Sequence, residues 1–448
     1  MTGQTDRSLI FLEFNEVNFD FVRAYAREGR LPALAGLLNS YGFAVTESEQ
    51  TYEELEPWIQ WVTAHTGKSL AEHGVFRLGD IVNHDLPQVW ECLEQRGLRV
   101  GAVSPMNAKN RLREPAFFLP DPWTATGIHA SPVLTRMHEA IAQAVNENAQ
   151  SRISLRSLAN LLRGFLAYAS PANWATYVRY ASTAIRHPWR KAMFLDLLLA
   201  DVFVRETART GPHFATLFLN AAAHIQHHYL FCSSVYQGTI RNPEWYVRPD
   251  EDPVFEVYSL YDRIVAAVQR RFPKARLMIG TGLHQNPHSK LTFYWRLKNH
   301  GEFLRKLGVE FDTVAPRMSR DFLVSCRSAE QARSAEQQLL AARADDGAPL
   351  FEVDNRGTDL FVMFVYARDI AAEAGFRIGD QRLLGLRADV AFVALKNGEH
   401  HGLGYLIDTG RRSDPDAKPI ALASIPALVF DSLLNGHNPF GTPPYKNA

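Results

Sequence analysis

Residues 9–42 read LIFLEFNEVNFDFVRAYAREGRLPALAGLLNSYG, and the punctuation of this stretch decides the fold. Leu9–Phe14 is an apolar run broken only by Glu13 and followed by the polar pair Asn15-Glu16. That is the pattern of a short buried strand ending in a polar cluster. Phe19–Glu28 then takes helical spacing and stops at Gly29. A second helix starts with Pro32 in its first turn and ends before Gly42, the proline-first, glycine-last asymmetry of helices. A buried strand feeding directly into helices predicts an α/β fold with a parallel sheet.

The same alternation recurs downstream. Leu86–Gln95, Gly97 and Val100–Val103 read as helix, stop and strand. Phe214–Leu219 is another apolar strand with a polar end, Val254–Phe272 a helix and Arg276–Gly280 a strand. Phe392–Leu395 and Gly404–Ile407 are expected to return to the main sheet, and PIALASIPALVFDSLL (419–434) to close it as strand, turn and helix. Between them, Phe322–Cys326, Ser328–Arg343 and strands near Phe351 and Phe361–Tyr366 predict a small α+β cap. Residues 130–208 are rich in Leu, Ala and Arg at helical spacing and predict a helical insertion. Its arginines and aromatics (Arg163, Trp174, Tyr177, Arg179, Arg186, Trp189, Arg190) read either as a surface for lipid or a partner, or as a solvated face over core aromatics. The expected organisation is 1–129, 209–310 and 369–448 as three parts of one α/β core, with 130–208 as the insertion and 311–368 as the cap.

Composition narrows the function. Lys plus Arg and Asp plus Glu are 48 each in 448 residues, so the formal net charge is zero and a nucleic-acid binder is not expected. Cys92, Cys232 and Cys326 lie far apart with no paired spacing, which favours a reducing compartment and a cytoplasmic location. MTGQTDR leads straight into a strand carrying Glu13, a poor signal-peptide core. No apolar run reaches the ~18 residues of a membrane span.

In an open parallel sheet, ligands gather at the carboxyl ends of the strands. Four predicted strand ends carry polar clusters: Asn15-Glu16, Asn220 with His224, Thr281 to His284, and His400-His401. His, Asn and acidic groups gathered there suit a divalent metal, which neutralises charge and activates a nucleophile in phosphoryl or sulfuryl transfer.

The landmarks, in order, resemble the phosphodiesterase/nucleotide pyrophosphatase branch of the alkaline phosphatase superfamily. In that branch a first strand ends in Asp-Gly and a "grlPnlarLleeG" helix follows; here the stretch is LEFNEVNFDFVRAYAREGRLPALAGLLNSYG. The branch then has a Thr/Ser nucleophile, a TG and an HGI; here WVTAHTGKSLAEHGVF supplies Thr66-Gly67 and His73-Gly74. Its DxxxH is similar to FLNAAAHIQHHY, its "Y..lD" helix to Tyr258 through Asp262, its SDHG to MIGTGLHQ, and its GxHxxxG to GEHHGLGYLIDTG. The resemblance runs from about residue 9 to 435. It implies a three-layer α/β sandwich with a mostly parallel central sheet, and a metal-dependent site.

Carried over residue by residue, the resemblance implies metal ligands at Asn15, Asn220, His224, His284 and His400, with His224 and His400 the two positions that keep the family's residue. Asn15 and Asn220 stand where the family has Asp, and either ligate or cap the following helices. The nucleophile position falls on Pro57, beside Glu56. Glu56 reads as a ligand, a general base, or one exposed acid in a loop that also holds Glu47, Glu49, Glu53 and Glu54. Thr51 and Thr63 are the nearest hydroxyls and neither is in register. Glu16 could join Asn15 and His284 in a second metal site, and His227, His228 and His401 read as neighbours or supporting groups. Loss of acidic ligands weakens the hold on divalent ions.

Three functions follow. The first is a hydrolase or transferase using one or two Zn, Mn or Fe ions on a small-molecule, lipid or glycan phosphate (or sulfate) ester, with activated water or Glu56 replacing the missing nucleophile. The second is a mononuclear metalloenzyme with other chemistry on the same fold. The third is a non-catalytic member that binds a ligand or partner. A homo-oligomer is compatible with each.

Overall fold

The structure is a computed structural model and describes residues 8–146, 154–317, 320–379, 381–434 and 437–441. Its centre is an eight-stranded sheet built from β1 (Leu9–Phe14), β2 (Ala44–Glu47), β3 (Val100–Val103), β4 (Phe117–Leu119), β5 (Phe214–Leu219), β6 (Arg276–Gly280), β7 (Leu403–Asp408) and β8 (Ile420–Ala421). The spatial order is β8-β2-β7-β6-β1-β5-β3-β4. Only β7 runs against its neighbours, antiparallel to both β6 and β2. The other pairings are parallel, and β1 sits between β5 and β6 with Leu9 opposite Phe214 and Arg276.

Side chains alternate across a strand, so β1 feeds two cores. Leu9 and Phe11 pack with Trp61, Trp90 and Leu428, from helices Pro57–Thr66, Val89–Glu94 and Ile425–Leu433. Phe14 packs against Tyr261 of helix Pro253–Arg271, with tilted rings and centroids 4.6 Å apart. The sheet is therefore covered by helices on both faces, the three-layer arrangement expected of a parallel sheet. Glu13 shares the face of Leu9 and Phe11 and is completely buried. His65 Nε2 lies 3.2 Å from both of its oxygens, and Thr216 donates its hydroxyl to it. This buried hydrogen-bonded cluster joins β1 to helix Pro57–Thr66.

The Tyr258 and Asp262 landmarks have structural roles. Asp262 accepts the Leu34 N–H at 2.8 Å and so satisfies a free amide at the start of helix Pro32–Tyr41. Tyr258 donates to Gln226 Oε1 at 2.6 Å. The 130–208 region is helical where described: Pro132–Asn146, Leu155–Tyr168, Trp174–Thr183 and Arg190–Thr210. No helix among the described residues is long and apolar enough to cross a membrane.

Within the described residues the chain falls into two compact units. One is drawn from Met1–Gln237, Pro249–Pro287 and Gly398–Ala448, and the other from Gly238–Arg248 and His288–Asn397. The second holds a four-stranded antiparallel sheet, in the order Phe351–Asn355, Asp359–Phe364, Asp321–Ser325, Thr313–Pro316, with helix Ala329–Ala341 packed in its core. Phe392–Leu395 does not return to the main sheet. It belongs to strand Val390–His401, which pairs with His284–Leu297 in a separate two-stranded sheet. The chain changes partner at Gly402, where a Cβ would stand 2.6 Å from the Glu49 carbonyl oxygen. Only glycine permits that approach, and β7 begins immediately after it.

Candidate metal centre

The site forms at the carboxyl end of β1. Asn15 closes the strand and Glu16 follows with φ +60°, a left-handed conformation that a non-glycine residue adopts at a cost. The turn is clamped on all sides. Glu16 N–H donates to the Thr281 carbonyl at 3.1 Å, and its own carbonyl accepts from Gln226 Nε2 at 2.8 Å. Asn18 then caps helix Phe19–Arg27 by accepting from the Asp20 and Phe21 amides. The result is a fully buried carboxylate aimed away from its own strand.

Two histidines from distant segments meet it. Glu16 Oε2 lies 3.2 Å from His227 Nε2 and 3.1 Å from His400 Nε2, and the two Nε2 atoms are 3.3 Å apart. These three atoms make the one cluster of three His, Cys or acidic ligands within metal-binding reach among the described residues. The edges match a coordination polyhedron. Bonds of about 2.0–2.1 Å place tetrahedral ligands roughly 3.3–3.4 Å apart and octahedral neighbours about 2.9 Å apart. Two imidazoles and one carboxylate, with other positions open, are also a donor set of catalytic zinc and of non-haem iron. The residues present therefore fit a divalent metal.

The electrostatics favour a cation. Burial alone would push the Glu16 carboxyl up, but the charge and hydrogen bonds of His400 and His227 reverse this and hold it well below the usual carboxylate range. Burial opposes a charged His400, yet Glu16, its hydrogen bond and Glu56 together raise the ring's affinity for a proton.

A supporting layer orients Glu16. Asn15 Nδ2 donates to Glu16 Oε1 at 3.1 Å, and Gln285 Nε2 donates to Oε2. Gln285 is in turn pressed by strand Val390–His401, because a Cβ on Gly398 would stand 2.0 Å from Gln285 Oε1 and 3.0 Å from the Gln226 carbonyl. Gly398→Ala should displace Gln285 and loosen Glu16. Metal affinity, measured by competition with a chelating dye, is expected to fall about 10–100-fold, the usual effect of disturbing an outer-shell partner. Unchanged affinity would mean that Gln285 has no part in holding the carboxylate.

The other residues singled out in the sequence sit differently. Asn15 accepts from Trp61 Nε1 at 2.8 Å and donates to Asn220 Oδ1 at 2.8 Å, so both oxygens are engaged by protein donors. Neither asparagine caps a helix through its side chain. Asn18 caps Phe19–Arg27, and Asp196 accepts the Ala221 amide at 2.8 Å at the start of helix Ala221–Tyr229. His224 has its ring 5.1 Å from that of His228, is pushed down to about 4 by burial, and is not in the triangle. His284 is buried, donates from Nδ1 to the Leu403 carbonyl at 2.6 Å, and is pushed down to about 4 by burial, so it is neutral near pH 7. Its ring lies 4.7 Å from that of His401, and it too is outside the triangle. Glu56 precedes helix Pro57–Thr66, with Oε2 3.9 Å from His400 Nδ1. Burial raises its carboxyl to about 7, with His400 lowering it and Glu16 raising it further.

Glu16 and His227 stand at the centre of the triangle, although the sequence reading placed them at its margin. The signal for Glu16 was the Asp-Gly of the family pattern, which puts a glycine where this chain holds a glutamate in a glycine-like conformation. His227 lies three residues after His224 on the same helix, a spacing that keeps both near one face.

No family model and no curated protein sequence matches the chain. Among solved structures it is similar to phosphonoacetate hydrolase from Sinorhizobium meliloti 1021 in complex with phosphonoformate, with 11% identity, 96% of this chain and 97% of that chain covered, and a TM-score of 0.44. It is also similar to human ectonucleotide pyrophosphatase/phosphodiesterase 5, with 10% identity, 95% of each chain covered and a TM-score of 0.45. Identities and scores this low transfer neither residue roles nor activity to this chain.

Proposed function

We propose that the chain is a divergent alkaline phosphatase-like hydrolase that holds one divalent metal on Glu16, His227 and His400 and cleaves a phosphate-type ester. The observation that carries this reading is the triangle of 3.1–3.3 Å edges at the end of β1. Bound there, zinc, manganese or iron would lower the pKa of a coordinated water and neutralise charge on the phosphoryl group. The single carboxylate of Glu16 offsets half of a dication's charge and leaves the site attractive to an anionic ester. Glu56, with its carboxyl raised to about 7, can take a proton from an attacking water near neutral pH and return it to a leaving oxygen.

The hydroxyls nearby favour water over a covalent intermediate. Thr63 Oγ1 lies 3.2 Å from His73 Nε2, but His73 Nδ1 accepts the Val75 N–H at 3.0 Å. The neutral imidazole therefore carries its proton on Nε2 and donates to Thr63, so it does not act as that hydroxyl's base. Thr51 is exposed. A small-molecule, lipid or glycan phosphate ester is the substrate class proposed.

Elemental analysis of untagged protein prepared without chelator tests the reading. One ion per chain is expected, lost in His400→Ala, together with turnover of a p-nitrophenyl phosphodiester or monoester when Zn or Mn is supplied. A second reading comes from the same donor set, since two histidines and one carboxylate also suit iron(II) with open positions. One tightly held iron per chain without ester turnover would select that reading, a mononuclear metalloenzyme of other chemistry. Absence of any bound ion, even after adding Zn, Mn and Fe, would leave a non-catalytic binding protein.

A further inference from the structure

The helix Leu155–Tyr168 has two unlike faces. Its inner face is tightly held: a Cβ on Gly164 would meet Met137 Sδ at 2.4 Å, Ser157 donates to Gln143 at 2.6 Å, and Phe165 packs edge-on to Tyr177 at 4.9 Å. Its outer face carries Leu155, Leu158, Leu162 and Leu166, spaced 3, 4 and 4 residues apart. Leu155 is 87% exposed and the other three are each 57% exposed. Trp174, Val178 and Ile185 extend the exposed apolar set onto and beyond the next helix. Half of the large apolar side chains exposed among the described residues lie in this short segment, seven of fourteen. Scattered exposed leucines need no explanation, but a stripe at helical spacing marks a surface that something covers.

The charge around the stripe says what covers it. Residues 154–195 hold six Lys or Arg and no Asp or Glu, in a chain whose net charge is zero. Arg179 and Arg190 face Glu256, at 3.7 and 3.0 Å. Arg156, Arg163, Arg186 and Lys191 are exposed and have no acidic partner among the described residues. A groove of about 780 Å³ opens where the helix ends, at Tyr168–Asn173, and Arg205, Arg209, Arg263, Arg270 and Arg271 line it. The one acid in that groove, Asp201, is already taken by Ser170 N–H, Asn173 and Tyr177, and of the five arginines Arg209 is paired with Glu206.

We propose that the outer face of Leu155–Tyr168, continued by Trp174–Ile185, docks the protein on an anionic phospholipid bilayer. The leucines enter the boundary between headgroups and acyl chains, and the arginines pair with lipid phosphates and carboxylates, as in interfacial amphipathic helices. Arginine is suited to this because its fork binds phosphate bidentately while its stem lies along apolar surface. None of the exposed leucines and arginines is among Glu16, His227 and His400, so docking and metal binding are probed by different substitutions.

Co-sedimentation of the full chain with vesicles tests it. The protein is expected to pellet with vesicles of phosphatidylserine and phosphatidylcholine (3:7), to stay in solution with pure phosphatidylcholine, and to be released by high salt. Arg156→Gln and Arg163→Gln should each weaken binding about fivefold, and Leu158→Asn with Leu162→Asn should abolish it. Metal content and turnover of a soluble reporter should not change in any of these variants. Failure to pellet with the phosphatidylserine vesicles, or equal pelleting of all variants, would overturn the proposal. So would light scattering that finds a dimer which Leu158→Asn with Leu162→Asn converts to monomer, since the stripe would then belong to a second copy.

Discussion

Glu16→Gln is expected to abolish metal binding while leaving the fold intact. The substitution keeps the shape and the hydrogen-bonding reach of the side chain, so Asn15 still finds an acceptor and the clamp from Gln226 on the backbone is untouched. What disappears is the only formal negative charge in the triangle, leaving two neutral imidazoles and an amide oxygen to hold a dication. Loss of a ligand should exceed the roughly 10–100-fold effect of outer-shell changes, so affinity should fall by well over 100-fold. Metal content by elemental analysis and ester turnover should fall together, while circular dichroism stays the same. A variant that retained one ion per chain would move the centre elsewhere in the molecule.

The second large effect is on stability. Glu13→Ala should lower the unfolding free energy by roughly 3 kcal/mol, because it leaves His65 Nε2 buried opposite an empty space and without its partner, while the Thr216 hydroxyl keeps only the Phe11 carbonyl. That is a large part of the roughly 5–15 kcal/mol by which folded proteins usually exceed their unfolded states. Urea titration should show an earlier transition for Glu13→Ala and for His65→Ala, and the double variant should lose much less than the sum of the two. Strict additivity would mean that the pair does not act as a unit. Since Trp61, one turn before His65, donates to Asn15, the metal centre should also loosen in these variants.

Much of this architecture is legible in the sequence. β1, β5 and β6 are buried runs with polar ends, and Gly29 and Gly42 stop the helices where expected. Partner choice is not legible: Phe392–Leu395 has the apolar look of a main-sheet strand, yet its hydrogen bonds go to His284–Leu297. Strand propensity reports burial and not which edge a strand joins. The site divides the same way. His400 follows from motif spacing, but Glu16 enters only through a left-handed backbone that tertiary clamps impose. Whether His224 or His227 faces the carboxylate depends on the rotation of helix Ala221–Tyr229, which its packing on Pro253–Arg271 sets.

The triangle at the end of β1 is also a proton trap. Glu16 is held below and His400 raised above their ordinary values, so a proton on the His400 ring would occupy a lone pair that a metal bound there would need. Uptake of the ion is therefore an exchange of a proton for a metal, and the two compete for one place. Acidification would work against a metal there through His400, whose ring a proton would fill, while Glu16 stays charged. A metal held on the proposed triangle would therefore load less fully as the surroundings acidify.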